Sequence, residues 1–389
     1  MKANVTAGNL NTLLEIEHNI NTILILSGEI NGNDISTIRS IANLTVLDLA
    51  DVNIVEGGSF YNEDKEYISI KKDEIPEYML SGLDTISSVT IPNSAVSIGK
   101  RAFSGCSGLT SITISNSVSN IGPFAFENCT GITSITIPNG VIGKFAFSGC
   151  SELTSVVFGN SVTVIGEAAL QGCSKITSVT IPNSLISIGS QAFKDCIGLT
   201  SITISNSAIS IGDQAFRNCT GLTSIAIPAS VKSIGENAFR DCTGLTSITI
   251  PNGVINIGDW AFFDCSGLTE VIIPPSITSI GEAAFFGCSK LASISIPDSV
   301  TTISENAFND CAGLASVIIP GGITAIGDWA FFGCTGLTEI HCKALTPPHA
   351  SSSFNGMNKA SCKLYVPKGT FAAYKSAAGW SNFTNIIEE

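Results

Sequence analysis

Eleven cysteines, from Cys106 to Cys334, occupy one phase of a repeating unit; nine of the ten gaps between them are 23 residues and one, Cys129 to Cys150, is 21. A self-similar period of this length marks stacked one-coil repeats, a solenoid in which each coil contacts mainly its neighbours. The unit reads Ile-Gly-x-x-Ala-Phe-x-x-Cys-x-x-Leu-Thr-Ser-Ile-x-Ile-Pro-x-Ser-Val, as from Ile234-Gly235 through Ala238-Phe239, Cys242, Leu245, Ile248, Ile250 and Pro251 to Val254.

Each unit predicts one strand and one tight corner. Leu245, Ile248 and Ile250 face a core, and Ser247 and Thr249 point away from it. Pro251 ends the strand, because it cannot donate to a ladder. The segment Glu236-Asn237-Ala238-Phe239 is too short for a helix of its own and is read as a single helical or 3-10 turn, opening on an acid. Asn, Asp or Gly stands just before each cysteine, and Gly235 punctuates the backbone ahead of the turn.

Charged residues make up 13% of the chain and apolar ones 44%, yet no run approaches a membrane span. The net charge of −13 sits mostly at the start: residues 1 to 80 carry 13 acids and 5 bases. Nucleic acid is therefore excluded as a partner. Asp213, Glu236, Asp259, Glu282, Glu305 and Asp328 recur once per coil at the start of the turn, where solvated acids suit the backbone, with calcium bridging as the alternative. Lys343, Lys359, Lys363, Lys368 and Lys375 make the end of the chain basic. An acidic head and a basic tail suggest weak self-association.

The Ala-Phe-x-x-Cys-x-x-Leu-Thr-Ser-Ile-x-Ile-Pro unit, repeated from Ile75 to Ile340, resembles the BspA-like leucine-rich repeats of bacterial surface proteins. Leu47-Asp48-Leu49-Ala50-Asp51 with Ile54 is similar to that family's opening coil. Thr346-Pro347-Pro348, Leu364-Tyr365-Val366-Pro367 and Tyr374 to Trp380 are similar to its closing segment. The resemblance implies an α/β repeat fold, a right-handed leucine-rich-repeat solenoid, mainly parallel β with a short turn per coil. It also implies secreted or outer-surface proteins that adhere to host proteins or other cells, with no catalytic residues to carry over. The expected divisions are a cap with two atypical repeats over 1–55, a charged insertion loop over 56–74, regular repeats over 75–342 and a terminal cap over 343–389. The two residues missing before Ile142-Gly143 predict a pinch on the non-strand side of that coil.

One thiol per coil is the wrong arrangement for zinc, which needs clustered ligands. The ladder cysteines are read as buried thiols acting as small apolar fillers. Cys342 and Cys362 fall outside the ladder, and their pairing stays open. No P-loop, dinucleotide fingerprint, HExxH or GxSxG segment is present. His18, His341 and His349 are too scattered for acid–base work. Glu270 and Glu339 stand three coils apart, about 14 Å by strand spacing, too far for glycosidase chemistry. The chain is read as non-enzymatic, without cofactor or metal.

Two sets of departures from the repeat are the candidate binding residues. On the strand face, the hydroxyl carpet of Thr110-Ser111-Thr113, Thr133-Ser134-Thr136, Thr177-Ser178-Thr180, Thr200-Ser201-Thr203 and Thr246-Ser247-Thr249 gives way to Glu270, Ile272, Ile318, Glu339 and His341. On the corner, polar residues such as Gln214, Arg217, Asn237 and Arg240 give way to Trp260, Phe263, Phe286, Trp329 and Phe332, expected as an exposed aromatic ridge. The expected role is a cell-surface or secreted adhesion protein recognising an extracellular protein, a cell surface or a glycan. The alternative is a structural spacer or self-assembling scaffold without a dedicated ligand. The first residues lack a signal-peptide apolar stretch, which read literally means cytoplasm; the resemblance implies export, and an extracellular or cell-surface location is the expectation.

Overall fold

The alternation read from the repeat becomes a three-sided coil. In the computed structural model, which describes residues 1–16, 22–62 and 64–389, the chain forms two compact units, Met1–Cys196 and Ile197–Glu389. A coil of the second unit shows the plan. Its first side is the strand Ser247–Thr249, paired in parallel with Glu270–Ile272 one coil on. Leu245, Ile248 and Ile250 are buried, while Ser247 and Thr249 face solvent, as the period-two pattern requires. Pro251 follows the strand, and a turn closed by Val254 N to Pro251 O at 3.0 Å swings the chain onto the second side. There Asn256–Ile257 pairs in parallel with Ser279–Ile280.

The third side differs from the single helical turn expected. It is a run of β-turns: Ala261 N donates to Gly258 O (3.3 Å), Phe263 N to Trp260 O (3.2 Å) and Cys265 N to Phe262 O (3.2 Å). Alternate amides point forward instead, with Trp260 N, Phe262 N and Asp264 N donating to Glu282 O, Ala284 O and Phe286 O at 2.7–2.8 Å. Two residues per coil adopt positive φ to make this possible, as Trp260 (+54°) and Asp264 (+52°) do. The second position is the one before cysteine, where Asn, Asp and Gly tolerate the left-handed region best. Their recurrence there is thus backbone chemistry. Gly235 serves close stacking: a Cβ on it would lie 2.4 Å from Asp213 Oδ1 and 2.6 Å from Asp213 N.

Inside the triangle the phenylalanines of successive coils stack face to face. In the first unit Phe103, Phe126 and Phe147 lie 5.0 Å apart; in the second, Phe216 to Phe354 follow at 5.3–5.4 Å and end on Trp380. All thirteen cysteines are buried and in the thiol form, Cys342 and Cys362 included.

The irregular coils are built differently. Residues Lys2–Val5, Ile23–Ile30 and Val46–Ile54 open a parallel sheet, with helices Leu10–Ile16 and Gly32–Arg39 beside them. Asp34, 1% exposed, accepts bonds from Gly8 N, Leu10 N and Asn31 N and so ties both helix starts together. Residues 56–74 contain an antiparallel hairpin, Phe60–Tyr61 with Tyr67–Ile68, whose Phe60 is buried. The two-residue deletion removes the corner between the first and second sides: Ser134–Ile142 runs as one strand along Ser155–Ile165, with register shifts after Ile137 and Gly140. At the end, Lys363–Val366 and Asn385–Glu388 extend the strand face in parallel, and helix Phe371–Ser376 buries Tyr374.

Candidate binding surfaces

On the strand face, register stacks equivalent residues in columns. Glu270 follows Ser247, and Ile272 follows Thr249. Further on, Ser316 and Ile318 pair with Glu339 and His341, which pair with Lys363 and Tyr365 of the closing strand. The hydroxyl carpet is exposed, but its leading threonines are committed: Thr110, Thr154, Thr246, Thr269 and Thr338 each donate to a carbonyl of the preceding coil at 2.9–3.2 Å. These hydroxyls add a rung to the ladder, so the face offers a ligand fewer donors than its composition suggests.

The departures on this face separate into two groups. Glu339 pairs with Lys363 Nζ at 3.2 Å, and His341 stacks on Tyr365 at 4.3 Å with Nδ1 3.1 Å from Glu389 Oε1. These contacts dock the closing strands. The Glu339 partner raises the pKa of Lys363. Glu270, Ile272 (51% exposed) and Ile318 (37%) remain open to solvent.

On the turn side, Trp260 and Trp329 occupy the first left-handed position of their coils, at φ +54° and +55°. Phe124 (+59°) and Phe145 (+55°) fill the same slot in the first unit, and aligning every coil on its cysteine would have found them. A side chain with a Cβ costs about 1–2 kcal/mol there, so bulky aromatics stand where the backbone prefers Asn or Gly. Phe124 and Phe145 stack at 5.1 Å with Arg101 over Phe124.

The expected ridge is discontinuous. Trp260, Phe263 and Phe286 are half-buried, with Phe263 covered by Phe286 at 4.6 Å and by Arg240 at 4.4 Å. Asn309 holds the slot between Phe286 and Phe332. Trp329 and Phe332 are exposed, and with Asn306 and Asn309 of the preceding coil they wall a depression of about 270 Å³. Neither asparagine stood out in the sequence, because polar residues are common at both slots.

Reactive groups are scarce. Burial pushes the thiols of Cys106, Cys150, Cys196, Cys242 and Cys334 up to about 12, and Cys129, Cys173, Cys265, Cys288 and Cys311 well above the usual range. A thiol that stays protonated is neither nucleophile nor metal ligand. The acidic ladder serves the backbone in part: Asp213 Oδ1 accepts from Glu236 N at 3.0 Å and Asp259 Oδ1 from Glu282 N at 2.7 Å. Among the described residues, no three His, Cys, Asp or Glu side chains gather as a metal site. His18 lies outside the described residues, and His349 meets Ser351 at 3.2 Å.

The model of the BspA type leucine rich repeat region matches residues 73–200, 163–289 and 261–370, six copies in all. The chain belongs to the BspA-type leucine-rich repeat family. This BspA-type protein is similar to a solved leucine-rich repeat protein from Bacteroides ovatus, at 27% identity over 78% of this chain and 88% of that one, with a TM-score of 0.56. The pneumococcal vaccine antigen PcpA is 21% identical over 89% of each chain, with a TM-score of 0.52, a likeness of fold. A leucine-rich cell surface protein from Faecalibacterium prausnitzii is 29% identical over 74% of this chain and 94% of that one, with a TM-score of 0.44. No curated protein matches the sequence. Among the described residues of this BspA-type solenoid, no helix is long and apolar enough to cross a membrane.

Proposed function

We propose that this BspA-type protein is a non-enzymatic adhesion module, presented at the cell surface or secreted, that recognises an extracellular protein, a cell surface or a glycan. The observation that carries the reading is the exposed pair Trp329 and Phe332 above a depression, on a turn face where most coils present polar side chains. Exposed aromatics of this kind are the usual anchors of binding surfaces. Glu270, Ile272 and Ile318 form a second exposed group on the strand face. The buried, protonated thiols suit an oxidising exterior, since they present no thiolate to an oxidant.

Binding of the purified chain to immobilised extracellular-matrix proteins, whole cells and printed glycans tests the reading. Saturable binding that weakens in Trp329→Asn supports it. Failure to bind any of them, in a protein shown to be folded, favours the spacer instead, and light scattering at low and high salt then tests self-assembly.

A further inference from the structure

We propose that the depression walled by Asn306, Asn309, Trp329 and Phe332 is a saccharide site, taking one neutral pyranose ring against the two aromatic side chains with a hydroxyl donated to the Asn309 amide. This deepens the adhesion reading and rests on it.

The geometry follows from stacking one coil on the next. Trp329 and Phe332 leave the two ends of one β-turn, closed by Phe332 N to Trp329 O at 3.0 Å. Asn306 and Asn309 hold the same two positions 23 residues earlier, so two amides lie beside two rings. Gly356 packs on Phe332 from the following coil, where an added Cβ would lie 3.0 Å from ring atom Cε2. One side of the ring is thereby held, and the other faces the depression. Phe263 has no such opening, because Arg240 and Phe286 cover it. At about 270 Å³ the space is smaller than the ~300–1,000 Å³ of drug-sized pockets and suits a single ring.

A second observation is independent of the aromatics. Asn309 is only 9% exposed, and its Nδ2 donates to Asn306 Oδ1 at 2.8 Å. Its Oδ1 is buried and accepts no hydrogen bond. A buried acceptor without a donor is rare enough in native proteins to ask for a partner. Rotation of the amide exchanges its bond to Asn306 for one to a sugar hydroxyl, a donor of the right kind, while the sugar's C–H face matches an aromatic ring. Charge narrows the class further. Residues 305 to 332 hold Glu305, Asp310 and Asp328 and no Lys or Arg, and with Lys359 of the following coil the surroundings still carry more acid than base, which favours a neutral ligand over a sialylated or phosphorylated one.

The test uses the full chain with cellotetraose, maltotetraose and lacto-N-neotetraose as neutral probes and sialyllactose as the anionic control, read by saturation-transfer NMR and calorimetry. Trp329→Asn installs the residue type already present at Asn237 and Asn306, and Asn309→Ser the type present at Ser104 and Ser148, so both are expected to fold. At least one neutral probe should bind saturably and more tightly than sialyllactose. Each variant should weaken it about tenfold or more, with the melting temperature held. Absence of binding by every neutral probe, or unchanged binding in both variants, overturns the saccharide site. If the probes fail while Trp329→Asn still lowers capture on an immobilised protein, the site takes a protein side chain: the saccharide assignment falls and the adhesion reading stands. Loss of both removes the adhesion reading as well.

Discussion

The thiol of Cys265 donates to the carbonyl oxygen of Phe239, 26 residues earlier, at 3.1 Å, and the same oxygen accepts the amide of Cys242 at 3.1 Å. The contact recurs in both units, from Cys106 with Leu80 and Cys129 with Phe103 to Cys311 with Phe285 and Cys334 with Phe308. Cysteine is therefore more than a filler of the right volume. It is the smallest apolar side chain that also carries a donor, and it links each coil to the one before at the depth of the phenylalanine stack.

Replacing Cys265 by Ala removes that donor and leaves a small void. The expected cost is about 1–2 kcal/mol, combining a lost hydrogen bond with a minor cavity. Cys265→Val restores volume without the donor and should recover part of it. Urea unfolding of the three proteins checks the order; equal stability of wild type and Cys265→Ala would show that the thiol contact contributes nothing.

Thiol burial also sets a response to alkali. The folded-state values of about 12 for Cys106, Cys150, Cys196, Cys242 and Cys334 exceed the ordinary value of 9.0, so between these limits the folded chain holds more protons than the unfolded one. Stability from this source is complete below pH 9 and falls as pH rises toward 12. Melting temperatures should be insensitive to the ladder up to about pH 8.5 and drop increasingly above pH 9. In the native state at neutral pH a thiol reagent should label few or none of the thirteen cysteines, and all of them in denaturant.

Gly140 stands where the shortened coil passes closest to its neighbour. Its φ is +81°, and a Cβ would lie 1.7 Å from Ser119 O. Gly140→Ala should destabilise by more than about 2 kcal/mol, since neither the backbone angle nor the carbonyl can yield locally. Gln191→Gly, at a left-handed residue of φ +57°, should instead be neutral or stabilising by up to about 1 kcal/mol. Thermal unfolding of the pair distinguishes strain from mere loss of side chains.

A buried hydroxyl helps to hold the closing segment. Buried Tyr374 donates to Ala344 O at 2.7 Å and lies 3.1 Å from Cys342 Sγ. Tyr374→Phe should cost about 1–3 kcal/mol by leaving buried acceptors without their donor. Limited proteolysis near residues 343–389 should accelerate in the variant.

Much of this was legible in residue order because a solenoid converts sequence period into spatial register. The buried face of Leu245, Ile248 and Ile250 and the proline stop both follow from a 23-residue repeat with one apolar stripe, whereas the phenylalanine stack came only with the structure. The turn was less legible. Asn, Asp and Gly before cysteine announce a left-handed residue, but Arg101, Gln214 and Trp260 at the other such position announce nothing, because their side chains do not select that conformation. Only the inter-coil amide bonds impose it. Glu339 and His341 illustrate the reverse case: they stand out in the sequence as breaks in a pattern, and only the fold brings Lys363, Tyr365 and Glu389, distant in sequence, against them.

The sequence by itself determined the coil, its period, its core face and its family, since each depends on contacts between residues that recur at fixed spacing. Tertiary structure alone decided which exceptions stay exposed. Exposure of Trp329 and Phe332, burial of the orphaned Asn309 oxygen and the commitment of the threonine hydroxyls depend on what the adjacent coil places against each side chain. Local residue order does not encode that neighbour until the coils are stacked.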